Sequence, residues 1–428
     1  MGKRLPTAMR AVLVFVVMLL LSAMATGGAH PAFAQGNTPI RIGFSIALTG
    51  GLSVNGKTGL LARQIWRDDI NARGGILGRP VELVFYDDQS SATTTPGIYS
   101  KLIDVDKVDI LYAPYGSVTQ APVLPMAKQR ELLIFGNFST WANEQLKYER
   151  YFHIGPYGPM SGDSWGGFTR LAGRKGLKTL AILVADNEGT IYFGESNRRV
   201  AKQLGLTVVY DQRYPMNTVE FSSMLRAINA TKPDAVYIAT FPNESIAVMN
   251  GIDEVGVSDS VKLFGGGMIG LQTAPLLERL GPRVNGIVNF NFYVPSKTMD
   301  FPGIREYFDR YYAKAKAANI DVLGYYFSPY NYAMGQVIEQ AVKATKTLDN
   351  KVLAKYMHEQ EFDTIVGKFR FGPTGEWTTS RIVLSQFQGV KGTDLEQFRR
   401  QGPYVILDPQ ELATGEPIMP FVEARKQR

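Results

Sequence analysis

The chain has 428 residues, of which 45% are hydrophobic, so it is long enough for two domains with sizeable cores. Lysine and arginine exceed aspartate and glutamate by only 46 to 39, and this weak, dispersed excess excludes a nucleic-acid-binding protein. No cysteine is present, which excludes disulfides, thiolate metal ligands and cysteine nucleophiles. Three histidines leave little for a zinc site.

Residues 1–34 have the pattern of a secretory signal peptide. Three basic residues flank the start of an apolar run at 11–24, and Ala32-Phe33-Ala34 offers a small-x-small cleavage site. A membrane anchor is the alternative, but a run of about 14 apolar residues is shorter than the ~20 that a spanning helix needs. We therefore expect export, removal of this segment and a periplasmic location.

The next fifty residues predict a strand, a loop, a helix and a second strand. Residues 40–48 are almost wholly apolar, as expected of a strand buried on both faces of a parallel sheet. Apolar residues then recur at helical spacing from 60 to 71. A glycine-rich break at 74–80 precedes a second apolar strand at 81–86. Together these elements predict one complete βαβ crossover.

The motifs of this unit resemble those of a known family. They are Leu-Thr-Gly-Gly at 48–51, Asp-Ile-Asn-Ala-Arg-Gly-Gly-Ile-Leu-Gly at 69–78 and Tyr-Asp-Asp at 86–88. In this order they resemble the N-terminal region of the leucine/isoleucine/valine-binding proteins of bacterial ABC transporters, and the resemblance extends in weaker form to about residue 388. It implies the type I periplasmic binding protein fold, which is α/β with two doubly wound parallel-sheet lobes around a ligand cleft, joined by a multi-crossover hinge.

Strands and helices keep alternating as far as residue 292, apart from an irregular passage at 136–159, and this favours parallel sheets. Residues 367–377 are typical of a hairpin with a glycine-containing loop, whereas the last forty residues have no clear pattern. The resemblance implies an N-terminal lobe at 36–155 and 292–365, a C-terminal lobe at 156–291 and 366–410, and a tail at 411–428.

Three motifs that suggest catalysis or a cofactor lack the context that each requires. The glycines at 265–270 fit a dinucleotide-binding loop, but no acidic residue follows on a strand about 20 residues later. Ser164 lies in a G-x-S-x-G motif with His358 downstream, but prolines and glycines precede it where a nucleophile elbow needs a strand. Asp87 and Asp88 have no third metal ligand nearby, so we interpret them as solvated or capping carboxylates.

The loops at the carboxyl ends of the strands are the expected ligand site, because open α/β sheets bind ligands outside those ends. In the first lobe these loops bring hydroxyl and amide groups that suit a carboxylate: Asn55, Tyr115, Ser117, Thr119, Asn137, Ser139 and Thr140. The facing loops of the second lobe bring an apolar lid: Tyr192, Phe193, Phe241, Gly267 and Met268. Tyr157, in the passage between the lobes, would suit an aromatic ligand.

The resemblance implies roles for five of these positions. The loops around Ser117 and Ser139 stand where the family binds a ligand carboxylate and part of its ammonium. Phe193 and Phe241 stand where the family often has tyrosines that line the side-chain pocket. Gly267 stands at the family's acidic partner for the α-ammonium, so a carboxylate or amide without a free amine is an alternative to an amino acid.

Taken together, the resemblance implies a substrate-binding protein that captures a small carboxylate, such as a branched-chain amino acid or a related compound, and delivers it to a membrane ABC permease complex. No catalytic residue, cofactor, metal or nucleic-acid partner is expected. Two alternatives stay open. One is a ligand-sensing receptor subunit for amides or aromatic acids, and the other is a secreted serine hydrolase that uses Ser164.

Overall fold

In the computed structural model, which describes residues 38–427, the first lobe is built on a sheet of five parallel strands. The segment 1–34, interpreted as a signal peptide, lies outside the described residues. The strands are β1 (Ile40–Ile46), β2 (Val81–Asp87), β3 (Ile110–Tyr115), β4 (Ile134–Asn137) and β5 (Tyr151–His153), in the order β2-β1-β3-β4-β5. Ile42, Phe44 and Ile46 of β1 are fully buried, as the apolar run predicts.

The first helix is longer than its sequence pattern indicates and covers one face of this sheet. It spans Ser53–Ala72 (α1) and buries Ile65, Trp66 and Ile70. The other helices of the first 150 residues are α2 (Thr95–Ser100, continued by a π-helical turn at Lys101–Val105), α3 (Ser117–Gln120), α4 (Leu124–Gln129) and α5 (Asn143–Leu146). Helix α4 has a proline in its first turn, where the missing N–H costs no helical hydrogen bond.

The second lobe has a larger, mostly parallel sheet. Its first strands are β6 (Thr179–Ala185), β7 (Thr207–Tyr214), β8 (Ala235–Thr240), β9 (Leu263–Met268) and β10 (Ile287–Asn291). A separate two-stranded hairpin follows, made of β11 (Glu361–Thr364) and β12 (Gly367–Arg370), and then β13 (Val383–Phe387) and β14 (Tyr404–Asp408) complete the large sheet. The order is β14-β13-β10-β9-β8-β6-β7, and β13 runs antiparallel to both neighbours. The predicted α/β architecture is confirmed.

Helices flank the second sheet and then lead the chain back to the first. They are α6 (Gly167–Arg174), α7 (Glu188–Leu204), α8 (Ser222–Ala230), α9 (Pro242–Val255), α10 (Ala274–Leu280), α11 (Ile304–Ala318), α12 (Ser328–Thr345), α13 (Asn350–Glu359) and α14 (Phe421–Arg425). Helix α12 runs parallel to α1 and in close contact with it. A side chain at Gly59 would meet the ring of Phe327 at 2.4 Å, and one at Gly335 would meet the ring of Trp66 at 2.0 Å.

The chain therefore passes between the two sheets after β5, after β10 and after β12. Three passages are what a multi-crossover hinge requires. The lobe boundaries assigned from the sequence stay a prediction.

Three local features add to the sequence expectations. The passage at 136–159 contains the edge strand β5, which is only three residues long. Within 367–377, Phe371 and Trp377 form an antiparallel bridge across the glycine-containing turn, as the hairpin pattern predicts, while β12 also pairs with β11. The last forty residues include β14 and the buried Phe421, whose ring stacks on Phe264 with centres 5.1 Å apart, so they are integral to the second lobe.

Candidate ligand-binding cleft

The carboxyl edge of the first sheet brings four of the predicted polar residues together in two pairs. Three of them were expected in loops but lie in the first turn of α1 (Asn55), at the end of β3 (Tyr115) and at the start of α3 (Ser117). The Asn55 side-chain amide donates to the Tyr115 hydroxyl at 2.9 Å, and that hydroxyl donates in turn to Tyr326 at 3.3 Å. The hydroxyls of Ser117 and Thr140 lie 3.2 Å apart, and the Thr140 N–H donates to the Ser117 oxygen at 3.1 Å. Burial raises the pKa of Tyr115, so its hydroxyl stays a neutral donor and acceptor. This edge can offer hydroxyl groups to an anion.

Thr119 and Ser139 lie behind this edge and are not exposed on it. Thr119 is buried, and its hydroxyl donates to the Tyr115 carbonyl at 2.6 Å. Ser139 is also buried, with its hydroxyl donating to Gln120 Oε1 at 3.0 Å and its N–H donating to His153 Nε2 at 3.1 Å. Both residues therefore shape the loops from inside in this conformation.

Asn137 differs from its neighbours because its side chain has no partner. The residue is fully buried at the end of β4, and neither its Oδ1 nor its Nδ2 makes a hydrogen bond among the described residues. Its backbone carbonyl, by contrast, accepts from Gly116 and Gln120. An unpaired buried amide costs about 1–3 kcal/mol, so a polar group of a ligand or a water molecule would be stabilised beside it.

Sequence analysis missed a buried pair beneath the same loop. His153 Nδ1 lies 3.0 Å from Glu376 Oε2, although without the alignment of a hydrogen bond. Both side chains are buried, and burial raises the pKa of Glu376. Because His153 Nε2 accepts from Ser139, the proton of the neutral ring belongs on Nδ1, facing the carboxylate. The pair joins β5 to the turn after β12, and no local signal predicts a contact over such a sequence distance.

Aromatic side chains from both lobes fill the space between the sheets. Trp165 stacks on Phe193 with ring centres 3.7 Å apart, and Tyr157 lies 5.4 Å from Trp165. Tyr192 reaches the first-lobe loop, where its ring centre is 4.2 Å from that of Trp141 and its hydroxyl donates to the Met160 carbonyl. Tyr157, Tyr192 and Phe193 therefore lie within one group of aromatic side chains between the sheets. Phe241 is half-buried at the carboxyl end of β8.

Gly267 and Met268 were expected in a loop, and this was wrong because both belong to the central strand β9. Met268 is fully buried, and Asn289 bonds to its N–H and to its carbonyl, each at 2.9 Å. A Cβ at Gly267 would lie 2.7 Å from the Tyr237 hydroxyl and 2.9 Å from the Ala239 Cβ. An acidic side chain therefore does not fit at 267 in this packing.

The same strand explains the run of glycines at 265–270. A Cβ at Gly265 would meet the Val288 carbonyl at 2.1 Å, and one at Gly266 would meet the Tyr237 ring at 2.5 Å. The glycines permit close packing within a sheet. They form neither a phosphate-binding loop nor the flexible loop that we expected.

Ser164 and His358 do not meet. Ser164 is buried in a single 3-10 turn that follows Asp163, with no strand before it. His358 lies on α13, where its ring nitrogens face the carbonyls of Gly372 at 3.1 Å and Glu149 at 2.8 Å. This geometry offers Ser164 no base.

The two aspartates after β2 organise the first loop. Asp87 accepts from the Thr49 hydroxyl at 2.7 Å and from the Leu48 N–H at 2.9 Å. Asp88 accepts from the Ser45 hydroxyl at 2.9 Å and from the Ser90 N–H at 3.0 Å. Their oxygens therefore act as hydrogen-bond acceptors that fix the loop.

Within residues 38–427, no group of three or more histidines, aspartates and glutamates is arranged to bind a metal. In the same range, no helix has both the length and the apolar character of a membrane span. The described residues have two surface hollows that share no residue with the predicted site. One is lined by residues of 252–253 and 422–426, and the other by residues of 388–403. Among the described residues, the carboxyl edge of the first sheet combines hydroxyl donors with facing aromatic side chains.

Comparison with known proteins identifies the family. Residues 39–391 match the model of the periplasmic binding protein family. The Leu/Ile/Val-binding protein homolog 8 of Brucella suis is 26% identical over 344 residues, which are 76% of this chain and 82% of that protein.

Two solved structures have a similar fold. One is the branched-chain amino acid transporter substrate-binding protein LivJ of Streptococcus pneumoniae in complex with isoleucine, with a TM-score of 0.67 and 16% identity over 83% of this chain and 97% of that chain. The other is an ABC-transporter solute-binding protein of Rhodopseudomonas palustris with 3,4-dihydroxybenzoic acid, with a TM-score of 0.67 and 19% identity over 83% and 94%. Members of the matched family are binding proteins of transporters. The chain belongs to the periplasmic binding protein family.

Proposed function

We propose that this protein is the substrate-binding component of an ABC transporter, which captures a small carboxylate in the cleft and delivers it to a membrane permease. The observation that carries the proposal is the hydroxyl edge of the first lobe, made by Asn55, Tyr115, Ser117 and Thr140, which adjoins the aromatic residues of the interlobe space. A ligand carboxylate suits the hydroxyl edge, and an apolar ligand body suits the aromatic residues. As part of the same proposal, residues 1–34 direct export to the periplasm.

The ligand body is an aliphatic or aromatic group of modest size. Two proteins of similar fold bind isoleucine and 3,4-dihydroxybenzoic acid, so both kinds of carboxylate are supported. Three features of this chain favour a ligand without a free amine: Gly267 leaves no room for an acid, Asp186 and Glu188 are exposed at the rim, and aromatic rings dominate the space beside Tyr157.

The test is a thermal-shift screen of the mature protein with isoleucine, leucine, valine, benzoate, 3,4-dihydroxybenzoate and their primary amides. A ligand at about 100 times its Kd adds about 2.7 kcal/mol to the free energy of unfolding, which raises Tm by several degrees. We expect at least one carboxylate to do so in the wild type and to have a smaller effect in Ser117→Ala. If no carboxylate shifts Tm and an amide or other neutral compound does, the proposed ligand class is wrong.

Export is tested separately. Residues 1–34 are fused to a reporter enzyme that is active only outside the cytoplasm, and the same fusion with the apolar run interrupted by two arginines is the control. The native segment is expected to give activity and the interrupted one none. A silent native fusion, with the reporter protein present in the cells, would contradict a periplasmic protein.

A further inference from the structure

Arg63 is a buried cation without a counter-ion. It lies in the middle of α1 and is 0% exposed. Its Nε donates to Asn331 Oδ1 on α12 at 2.8 Å, but neither of its Nη atoms makes a hydrogen bond among residues 38–427. No ion pair within 4 Å involves it in that range. Most of its hydrogen-bonding capacity is therefore unpaired, and its charge has no ion-pair partner in that range.

Three other arginines with largely buried side chains pair with carboxylates, whereas Arg381 bonds to backbone carbonyls and lies over the rings of Phe301 and Trp377. Arg150 lies 3.5 Å from Glu131, Arg174 bonds to Asp408 at 2.6 Å, and Arg425 bonds to Asp253 at 2.6 Å. Burial lowers the pKa of Arg63 to about 10, so the side chain keeps its charge at neutral pH. A charge buried in this way costs several kcal/mol unless something compensates it.

Two aromatic rings support the guanidinium but do not neutralise it. The central carbon lies 4.2 Å from the ring centre of Phe44 and 4.9 Å from that of Tyr112. The buried carboxylate Asp88 interacts with Arg63 electrostatically but forms no ion pair within 4 Å, and its oxygens accept from Ser45 and Ser90. A cation over aromatic rings is stabilised when desolvated, but by less than the cost of its burial.

The position of Arg63 relates it to the ligand site. Phe44 and Tyr112 belong to β1 and β3, the strands that lead into the loops with Asn55 and Ser117. Helical side chains lean toward the N-terminus of their helix, and for α1 this is the end that contributes Asn55 to the cleft. Tyr112 and Tyr115 are three residues apart, which is about 10 Å along a strand. The charge therefore lies roughly that far beneath the hydroxyl edge.

We infer that Arg63 is a specificity-determining residue, the positive pole that makes the cleft prefer ligands with a carboxylate over neutral ligands of the same shape. The inference rests on the proposed function and adds to it the source of charge selectivity. Arg63 does not touch the ligand. It acts through the interior of the first lobe, where a ligand carboxylate would add a counter-charge to the indirect one that Asp88 provides. At about 10 Å and an effective dielectric of about 20, two unit charges change affinity roughly fifteenfold.

The experiment is a charge-by-charge cycle. The ligand is whichever of isoleucine and 3,4-dihydroxybenzoate binds the wild type more tightly, and it is compared with its own primary amide. Calorimetry measures the affinity of both compounds for the wild type, Arg63→Gln and Arg63→Lys. Arg63→Met, whose unbranched chain suits the space beside the Phe44 and Tyr112 rings, is a second neutral variant. Arg67→Gln is the matched control, because Arg67 lies one turn later on α1, is partly exposed and pairs with Asp68 at 2.7 Å.

We expect Arg63→Gln and Arg63→Met to bind the carboxylate about tenfold more weakly and the amide with nearly unchanged affinity. Arg63→Lys and Arg67→Gln are expected to keep the wild-type ratio. Equal losses for carboxylate and amide in folded neutral variants would overturn the inference and leave the proposed function intact. A wild type that binds no carboxylate would overturn both. If both neutral variants fail to fold, an Arg63→Lys protein that loses the carboxylate preference while it still binds the amide overturns the inference, and one that keeps the preference supports it.

Discussion

The two lobes differ in how they treat buried polar groups. In the second lobe the buried amides bond to nearby backbone: Asn197 donates to the carbonyls of Trp165 and Phe193, and Asn289 spans the backbone of Met268. Second-lobe groups that lack a partner among the described residues are mainly aromatic N–H and O–H groups, such as those of Trp165 and Tyr237. In the first lobe, both Nη atoms of Arg63 and the whole side-chain amide of Asn137 lack a hydrogen-bond partner in the same range. The first lobe therefore leaves an amide and most of a guanidinium unpaired, which suits a polar ligand group, whereas the second lobe contributes aromatic side chains such as Phe193 to the interlobe space.

The largest expected effect concerns stability and comes from Asp321, which lies between α11 and α12 and contacts the second-lobe helix α10. Asp321 is buried and accepts from the N–H of Ala274 at the start of α10, and burial raises its pKa to about 6. Its pKa in the folded state thus exceeds that in the unfolded chain. The stabilisation is complete below about pH 4 and is lost as pH rises through about 6, by about 2–3 kcal/mol.

This prediction is checked by urea unfolding followed by tryptophan fluorescence at pH 4.5 and pH 7 for the wild type and Asp321→Asn. The difference in unfolding free energy between the two proteins should change by about 2 kcal/mol over this range. Asp300→Asn, at an exposed residue paired with Arg305, is the control and should show no such change. Parallel pH profiles for wild type and Asp321→Asn would mean that the second lobe has no titrating group of this kind.

The second-largest effect is on ligand affinity and tests the polar groups of the first lobe. Ser117→Ala removes the hydroxyl paired with Thr140, and a hydrogen bond to a charged ligand group is worth about 1.5–3 kcal/mol. We expect calorimetry to show at least tenfold weaker carboxylate binding. Ser222→Ala, which removes a second-lobe hydroxyl bonded to Glu254, should leave the affinity unchanged. Equal affinities for wild type and Ser117→Ala would move the anchor away from the first lobe.

A smaller effect on ligand affinity is expected from the aromatic side chains of the second lobe. Phe241 is half-buried, so Phe241→Ala should cost about 1 kcal/mol of ligand contact, or about fivefold in affinity. Because the second lobe meets the ligand as the cleft closes, the loss should fall on the dissociation rate, with the association rate nearly constant. Stopped-flow measurements separate the two rates. A loss confined to association would show that Phe241 acts before closure.

The smallest effect is predicted for the ligand's amine. With no room for an acid at Gly267, an amino acid and its des-amino analogue should differ in affinity by less than about a hundredfold, which is roughly 2.7 kcal/mol. Competition calorimetry with isoleucine and 3-methylpentanoate measures the ratio. A larger preference for isoleucine would mean that another acid, such as Asp186, Glu188 or the buried Glu376, receives the ammonium.

Most of the fold was predictable because its signals are local. The buried strand β1 follows from an unbroken apolar run, and the alternation of strands and helices predicts parallel sheets. The edge strand β5 was missed because three residues among prolines and glycines are too few for a period. Phe421 was missed because a single aromatic in a polar segment gives no pattern, although its ring stacks on Phe264.

The site could be predicted only as far as the topology of a parallel sheet determines it. Strand-end loops meet at one edge, which is enough to bring Ser117 next to Thr140. The position of Ser139 behind the edge depends on Gln120 and His153, and the unpaired state of Arg63 depends on its packing against Asn331, 268 residues away. Contacts over such separations follow from tertiary packing and leave no trace in a local pattern.

The parallel packing of α1 and α12 also dictates when the first lobe can fold. Trp66 of α1 packs against Gly335, so the lobe that begins at residue 40 is completed by a helix that ends at Thr345. During synthesis, the side of α1 that carries Trp66 must wait for nearly 270 further residues before α12 can cover it, although another side of α1 packs on the first sheet. Closing so long a loop is slow. We therefore expect the first lobe to be completed late, after most of the second lobe has been synthesised.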